Sequence, residues 1–237
     1  MESYDFGDCD MVREMRRRAA MRETKEGIEE LRLEYRRQLT GSAESRVSWG
    51  ECIAQVERAG CPHETAAFAR RPLPSPVLDQ AKHWWLAGRG GKPVMLLSGG
   101  TGTCKSVTAA HLAAKFAEAR KWWVSAATGA SRAPLMWMRA DEVSSLALLS
   151  ERDREFVEKA EAAEMLVLDE LSVRGAKAGL DAISRILARR IDAGRLTVIT
   201  TNAATSESLA EALGSHVADR LKRSKVIKTG DESRRKS

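Results

Sequence analysis

The feature that most constrains this sequence is a glycine-rich segment, GGTGTCKS, at residues 99–106. It directly follows an apolar run at residues 94–97 and opens an alanine-rich segment at residues 105–121. Its spacing fits the pattern G-x-x-x-x-G-K-[ST], except that Cys104 stands in place of the last glycine. Glycines permit a tight turn in which successive N–H groups point inward and cradle phosphate oxygens. The segment therefore predicts a phosphate-binding loop between a strand and a helix.

The predicted loop assigns a nucleotide contact to every residue of a continuous run. We expect Lys105 to reach the β- and γ-phosphates and to be exposed in the empty loop, and the Ser106 hydroxyl to bind Mg²⁺. The N-terminus of the following helix adds a partial positive charge that favours phosphate. The predicted nucleotide-binding residues are Gly99, Gly100, Thr101, Gly102, Thr103, Cys104, Lys105, Ser106 and Val107.

Cys104 brings a Cβ to the place where such a loop runs closest to phosphate. If the position needs a positive φ, a cysteine there is strained by roughly 1 kcal/mol or more. If the backbone is already α-like, the strain is small. In either case we expect nucleotide binding to be weakened rather than lost.

Polar residues follow two further apolar strands. The run MLVLDE at 165–170 ends in Asp169 and Glu170, at the strand end where α/β sheets place ligands. Asp169 is expected to hold Mg²⁺, and Glu170 to polarise the attacking water. The run TVITTN at 197–202 places Asn202 beside them, where it could hold the water or the γ-phosphate.

From Lys92 onward, apolar strands alternate with helices, which is typical of a parallel sheet covered on both faces. We predict a three-layer α/β fold of the P-loop class. Five strands are expected at residues 94–97, 135–138, 165–168, 196–200 and 226–228, and an irregular loop at 122–133.

The chain divides into four predicted zones. Residues 1–48 are charge-dense and carry a thin apolar stripe at helical spacing, formed by Ile28, Leu31, Tyr35 and Leu39. Such a stripe cannot form a core alone, so it must pack on the main domain or on a partner helix. We expect this helical extension to bind a partner. Residues 49–91 form a connector and a lead-in helix, residues 92–230 the core domain, and residues 231–237 a disordered tail.

The ordered set GGTGTCKS, VLDEL, ISRILARRIDAGR, TVITTN and HVADRLKRS resembles AAA+ ATPases of the DnaC/IstB group. This group comprises helicase loaders of bacteria and phages together with transposition helper ATPases. The resemblance spans roughly residues 72–228. It implies that ATP and Mg²⁺ are the cofactors and that the catalytic residues are Lys105, Asp169, Glu170, Asn202 and Arg220.

The resemblance also assigns roles that depend on assembly. Asn202 would be the first sensor, Arg220 an arginine finger that acts on a neighbouring subunit in a ring or spiral, and Arg190 would lie near that interface. As in that group, the chain is expected to lack a helical lid after the finger. The implied function is loading of a replicative helicase, gripped by the N-terminal helix, onto single-stranded DNA.

Two other functions stay open. A transposition helper would share every ATP-binding residue but bind duplex DNA and a transposase. A nucleotide-binding adaptor with little or no hydrolysis is favoured by Cys104 and opposed by Glu170 and Arg220. A zinc site at Cys52, Cys61 and His63 is disfavoured, because no C-x₂₋₄-C pair and no clear fourth ligand are present.

The remaining expectations concern surroundings. No apolar run approaches the roughly 18 residues of a membrane span, and few cysteines occur, so a cytoplasmic chain without membrane contact is expected. Trp122 and Trp123 lie beside Lys121, a combination that can stack single-stranded bases, although packing on the domain is the more common use. The net charge of +6 is compatible with nucleic acid.

Overall fold

The computed structural model describes residues 48–71, 75–86, 92–124, 135–145, 150–172, 177–203 and 206–230. The predictions for the N-terminal extension and for the C-terminal tail lie outside these residues. Within the described ranges, no helix combines the length and the apolar character needed to cross a membrane.

Five parallel strands form the sheet. They are β1 (Val94–Ser98), β2 (Leu135–Arg139), β3 (Met165–Leu171), β4 (Leu196–Thr201) and β5 (Lys225–Lys228). Their order across the sheet is β2-β3-β4-β1-β5, and every adjacent pair is parallel. The predicted five-stranded parallel sheet is confirmed. The carboxyl ends of β1, β3 and β4 therefore meet at one edge of the sheet, where the polar residues of the sequence motifs follow them.

Helices cover both faces of the sheet. One layer contains α1 (Trp49–Arg58), α2 (His63–Ala69), α3 (Pro76–Leu86) and α4 (Lys105–Val124). The opposite layer contains α5 (Ala140–Ser145), α6 (Glu151–Ala162), α7 (Lys177–Asp192), α8 (Ser206–Leu213) and α9 (Ser215–Leu221). Successive strand residues alternate between the two hydrophobic layers, as Leu97 and Leu96 of β1 do. The three-layer architecture is confirmed.

The predicted connector contains two helices that the sequence patterns did not indicate. Ser48 and Glu51 form a capping box at the start of α1: the Ser48 N–H donates to Glu51 Oε2 over 2.8 Å, and the Glu51 N–H donates to Ser48 Oγ over 3.2 Å. Cys52, Ile53 and Val56 are fully buried against α4 and the sheet. Residues 49–69 are thus part of the folded core, not a linker.

The turn between α1 and α2 packs against β2, which is an edge strand of the sheet. The Trp137 N–H donates to the Ala59 carbonyl oxygen over 2.8 Å. Gly60 has a φ of +114°, and a Cβ there would lie 2.5 Å from the Trp137 carbonyl oxygen. Only glycine permits this close approach, which covers an edge strand that would otherwise expose unpaired backbone groups.

The extent of one helix corrects a prediction from the sequence. Helix α4 extends to Val124, so Trp122 and Trp123 belong to a helix and not to the irregular loop that was expected. The alanine-rich composition of this segment favours such a continuation, because alanine has the highest helix propensity.

Arg190 of α7, which the resemblance places near a subunit interface, is fully buried within this chain. Its guanidinium donates to the carbonyl oxygens of Ala160, Ala163 and Leu196 over 2.6–2.8 Å, and to Thr197 Oγ1 over 3.0 Å. Burial lowers the pKa of Arg190 to about 9. This arginine ties α6, α7 and β4 together inside the core, and its role is structural.

Candidate nucleotide site

The phosphate loop joins β1 to α4, as the motif predicts. Gly99 and Gly102 have φ values of +154° and +79°, and Cys104 has a φ of +65°. Alternation between ordinary and left-handed backbone turns the N–H groups toward the inside of such a loop, which is the geometry that binds anions. The loop is therefore already folded as a concave turn at the carboxyl end of β1.

Cys104 adopts the left-handed conformation, so the strained alternative of the two is the one observed. For an L-residue with a side chain, this region costs roughly 1–2 kcal/mol relative to the right-handed helical region. Glycine would adopt the same φ without that steric cost. The departure from the motif therefore has a physical consequence at this position.

Lys105 is 8% exposed, so the expectation that it is exposed in the empty loop is wrong. Its ammonium donates to the carbonyl oxygens of Gly99 over 2.8 Å and Gly100 over 2.5 Å. Burial lowers the pKa of Lys105, and the carboxylates of Asp169 and Glu170 act in the opposite direction. The lysine folds back along its own loop, because the loop carbonyls are the acceptors within its reach.

The two residues predicted to hold Mg²⁺ are in direct contact. Ser106 Oγ donates to Asp169 Oδ1 over 2.8 Å, and Thr200 Oγ1 donates to the same oxygen over 2.5 Å. Asp169 is 2% exposed, and this burial raises its pKa, while the hydrogen bonds from Thr200 and Ser106 act to lower it. A buried strand end and a helix start, 63 residues apart in sequence, thus meet at one carboxylate.

The chemistry of this pair suits Mg²⁺. Both donors are oxygens, and Mg²⁺ in nucleotide sites typically takes one or two carboxylates together with phosphate oxygens and water. Within the described ranges, no cluster of three or more histidine, cysteine, aspartate or glutamate side chains is arranged to hold a metal by itself. Ser106 and Asp169 thus fit an ion that arrives with a phosphate ligand.

Glu170 lies in a bulge at the end of β3. The pairing of β3 with β4 shifts register between Leu168 and Leu171, and Glu170 has a φ of +58°. Its N–H donates to Thr200 Oγ1 over 2.9 Å, which holds the bulge to β4. As a result, the carboxylate of Glu170 is exposed to solvent beside the buried Asp169. The bulge thus places the consecutive acidic residues Asp169 and Glu170 in a buried and a solvent-exposed environment, respectively.

Arg139 is a site residue that the sequence reasoning missed. It ends β2 opposite Asp169, and its Nη2 lies 3.0 Å from Glu170 Oε2 and 3.0 Å from Asp141 Oδ2. A basic residue that ends the strand preceding an Asp-Glu strand is a signal that could have indicated this contact. In the described structure, the carboxylate expected to activate water is engaged by a guanidinium.

No hydrogen bond or ion pair described for this structure joins Asn202 or Arg220 to the phosphate loop. Asn202 directly follows β4 and is exposed. Arg220 lies in α9, where its Nε and Nη2 donate to the two carboxylate oxygens of Asp192 over 3.0 and 3.2 Å. The Arg220 side chain is 26% exposed, and this pair ties α9 to the end of α7.

The cysteines of the disfavoured zinc site serve the core instead. Cys52 and Cys61 are buried and form no disulfide, and desolvation raises the pKa of Cys61 to about 12. His63 is exposed, and its Nδ1 lies 2.6 Å from Glu57 Oε1. Within the part of the chain that the structure describes, these three side chains do not form a group that could hold a metal ion.

The comparisons with known proteins bear on the fold. No protein-family model matches the sequence, and no curated protein matches it. The crystal structure of DnaI matches with a TM-score of 0.50 and 16% identity, covering 73% of this chain and 92% of that one. The crystal structure of the DnaC helicase loader matches with a TM-score of 0.46 and 22% identity, covering 65% of this chain and 96% of that one.

A crystal structure of a DNA replication initiation factor matches with a TM-score of 0.48 and 13% identity. That match covers 63% of this chain but only 44% of the other, so this chain spans less than half the length of that factor. At these identities the likeness concerns the fold alone. The sheet order, the phosphate loop and the DnaI match together show that this chain has the P-loop fold of AAA+ proteins.

Proposed function

We propose that this chain is an AAA+ ATPase that binds Mg-ATP and loads a replicative helicase onto single-stranded DNA. The observation that carries the nucleotide part is the 2.8 Å contact between Ser106 Oγ and Asp169 Oδ1 at the mouth of a preformed phosphate loop. Two motifs far apart in sequence meet there with the donors that a metal–triphosphate complex needs.

Each residue of the site has a distinct task in this proposal. Lys105 exchanges loop carbonyls for phosphate oxygens when nucleotide enters, and Ser106 and Asp169 hold Mg²⁺. The ion, when bound, neutralises charge on the phosphate oxygens. Glu170 accepts a proton from the attacking water, and Asn202 orients that water or the γ-phosphate.

The contacts of Glu170 and Arg220 support slow turnover by an isolated chain. Glu170 is paired with Arg139, and Arg220 is paired with Asp192. Both ion pairs are partly exposed, so they are worth little energy and can be exchanged for other partners. We propose that assembly into a ring or spiral lets Arg220 reach the γ-phosphate bound by a neighbouring subunit.

The partner proposals rest on the resemblance and on the sequence of the N-terminal extension. The ordered motifs resemble those of helicase loaders, and residues 1–48 carry a thin apolar stripe on a charged segment. We propose that this stripe binds a replicative helicase, since an amphipathic helix commonly binds in an apolar groove of its partner.

A nucleotide-binding adaptor with little hydrolysis is the second candidate. The observation that favours it is the left-handed Cys104, which stands where the loop would approach phosphate. A transposition helper remains a further alternative that shares the same ATP site and differs in its DNA and protein partners.

A loading assay with the full-length chain tests the proposal. With ATP, the wild-type chain should increase the amount of replicative helicase bound to circular single-stranded DNA, and Lys105→Ala should not. Leu31→Asp combined with Tyr35→Asp should keep ATP binding and lose helicase capture. Preference for duplex DNA and capture of a transposase would support the transposition helper, and ATP binding without turnover would support the adaptor.

A further inference from the structure

The backbone after β5 is bonded directly to the phosphate loop. The Thr229 N–H donates to the Ser98 carbonyl oxygen over 2.8 Å, and the Gly100 N–H donates to the Gly230 carbonyl oxygen over 3.2 Å. Neither Thr229 nor Gly230 belongs to the nucleotide motif. These two residues therefore hold the start of the loop through backbone hydrogen bonds.

Two hydroxyl groups add further hydrogen bonds between this segment and the loop. Thr229 Oγ1 lies 2.6 Å from Thr103 Oγ1 and 3.2 Å from the Ser98 carbonyl oxygen, and Thr103 Oγ1 lies 2.8 Å from the Gly100 carbonyl oxygen. Two hydroxyl protons serve these three contacts, because each hydroxyl donates once. The two shorter contacts are both satisfied when Thr229 donates to Thr103 and Thr103 donates to Gly100.

The first glycine of the loop is explained by the same contact. Gly99 has a φ of +154°, and a Cβ there would lie 2.2 Å from Thr229 Oγ1 and 2.8 Å from the Gly230 carbonyl oxygen. Such distances are far inside van der Waals contact, so Thr229 and any side chain at residue 99 exclude one another. The loop and the segment after β5 are therefore fitted to each other at atomic distance.

The hydroxyl chain also reaches the lysine of the site. Thr103 is 2% exposed, and Lys105 Nζ lies 3.5 Å from its hydroxyl oxygen. The same lysine donates to the carbonyl of Gly100, which accepts the Thr103 proton. Two hydrogen bonds, through Thr103, thus connect Thr229 to the Gly100 carbonyl that holds Lys105 in the empty loop.

We propose that Thr229 is a positioning residue for nucleotide binding. Its hydroxyl fixes Thr103, and Thr103 fixes the loop backbone whose N–H groups receive the phosphates. Thr229 acts through the loop and does not itself contact nucleotide. This inference rests on the proposed function, because it assigns Thr229 to the same ATP site.

Thr229→Val tests the inference, since valine keeps the shape of threonine and removes the hydroxyl. Titration calorimetry on the full-length chain should show Mg-ATP and Mg-ADP bound about 3- to 10-fold more weakly, as expected for one lost hydrogen bond. Thr229→Ser should restore the wild-type affinity. Thr65→Val, on α2, is the matched control and should leave the affinity unchanged.

The readout separates positioning from a merely structural role. A structural role would lower the free energy of unfolding without changing the affinity of the folded chain. If wild type binds both nucleotides and folded Thr229→Val binds them equally well, this inference is overturned while the proposed function stands. If wild type binds neither nucleotide, the proposed function fails and the inference fails with it.

A double-mutant cycle provides a second test. Thr103→Val opens the same hydroxyl bridge from the loop side, so its affinity should also fall, even if Thr229→Val does not fold. In a folded double variant, Thr229→Val should add little to the loss caused by Thr103→Val, because the bridge is already broken. Fully additive losses would contradict the bridge.

Discussion

Cys104 is the residue at which this sequence departs from its motif, and the departure has a cost at the level of one backbone torsion. Its φ of +65° is a conformation that glycine adopts freely. We predict that Cys104→Gly raises the free energy of unfolding by about 0.5–1 kcal/mol, the relief of strain being partly offset by the greater freedom of glycine in the unfolded chain. Denaturant unfolding measures this.

The same substitution should affect ligand binding. Removing the Cβ next to the predicted phosphate position should tighten Mg-ATP binding or accelerate turnover, which calorimetry and phosphate release can follow. Cys104→Ala is the matched control, since it keeps the Cβ and the strain while removing the thiol. Equal affinity and turnover in wild type and Cys104→Gly would show that the cysteine does not weaken the site.

The burial of His111 leads us to predict that the stability of the folded chain depends on pH. It is 7% exposed and stacks on Trp49 with ring centroids 5.2 Å apart, and its Nε2 has no hydrogen-bond partner among the described residues. Burial, together with Lys82 and Lys115, lowers its pKa to about 4. Between pH 6.5 and 4, the unfolded chain therefore binds a proton at His111 that the folded chain does not.

Stability should consequently fall as the pH drops through this window, and His111 contributes to that fall. His111→Gln should lose less stability than wild type between pH 6.5 and 4, by about 2–3 kcal/mol as an upper bound. His216→Gln supplies the control, because His216 is exposed and not packed in the core. Parallel curves for wild type and His111→Gln would contradict this account.

Among the secondary-structure elements, Arg190 joins three: α6, α7 and β4. Arg190→Met removes donors from three buried carbonyl oxygens and from Thr197 Oγ1, and it should lower the free energy of unfolding by about 2–4 kcal/mol. Arg189, its exposed neighbour, bonds Glu161 over 2.6 Å. Arg189→Met should cost less, about 1 kcal/mol, because Arg185 remains paired with the buried Glu161. Similar effects for the two variants in urea unfolding would sink this reading.

The elements that sequence patterns predicted share a physical property. Strands β1, β3 and β4 are apolar runs bounded by turn or polar residues, and burial on both faces produces that pattern in any parallel sheet. Ser106 and Asp169 were predicted to meet because strand ends and helix starts share one edge of such a sheet. Local sequence was sufficient for these features.

The features that were missed depend on contacts between distant residues. Helices α1 and α2 are short, and their burial is decided by packing on α4, which lies about fifty residues further along the chain. The pairs Arg139–Glu170 and Arg220–Asp192 join residues 31 and 28 positions apart. The position of Arg139 at the end of β2 could have indicated the first pair, whereas no local pattern marks Asp192 as the partner of Arg220.

ATP hydrolysis by the proposed mechanism requires that several copies of the whole molecule assemble. The described structure contains a candidate water-activating Glu170, whereas Arg220 bonds Asp192 and not the phosphate loop. We predict that Arg220→Ala binds ATP nearly as well as wild type and hydrolyses it slowly. A trans arginine can be worth roughly 10³ to 10⁵ in rate in related chemistry.

Mixing two inactive variants tests action between subunits. Glu170→Gln keeps Arg220 but cannot activate water, so a mixture with Arg220→Ala contains interfaces at which an intact Glu170 faces an intact Arg220. Turnover in the mixture should exceed that of either variant alone. Co-assembled mixtures that stay inactive would contradict the trans role of Arg220.

We propose that a buried carboxylate and a loop hydroxyl form a Mg²⁺-dependent nucleotide site. Calorimetric titration of ATP, with Mg²⁺ and with chelator, into wild type and Asp169→Asn measures it most directly. Asparagine keeps an oxygen that can accept from Ser106 and Thr200 but removes the negative charge that attracts the ion. We predict that Mg²⁺ tightens ATP binding by wild type and that Asp169→Asn loses most of this gain while staying folded. The opposite result, an equal gain from Mg²⁺ in both proteins or no gain in wild type, would contradict it.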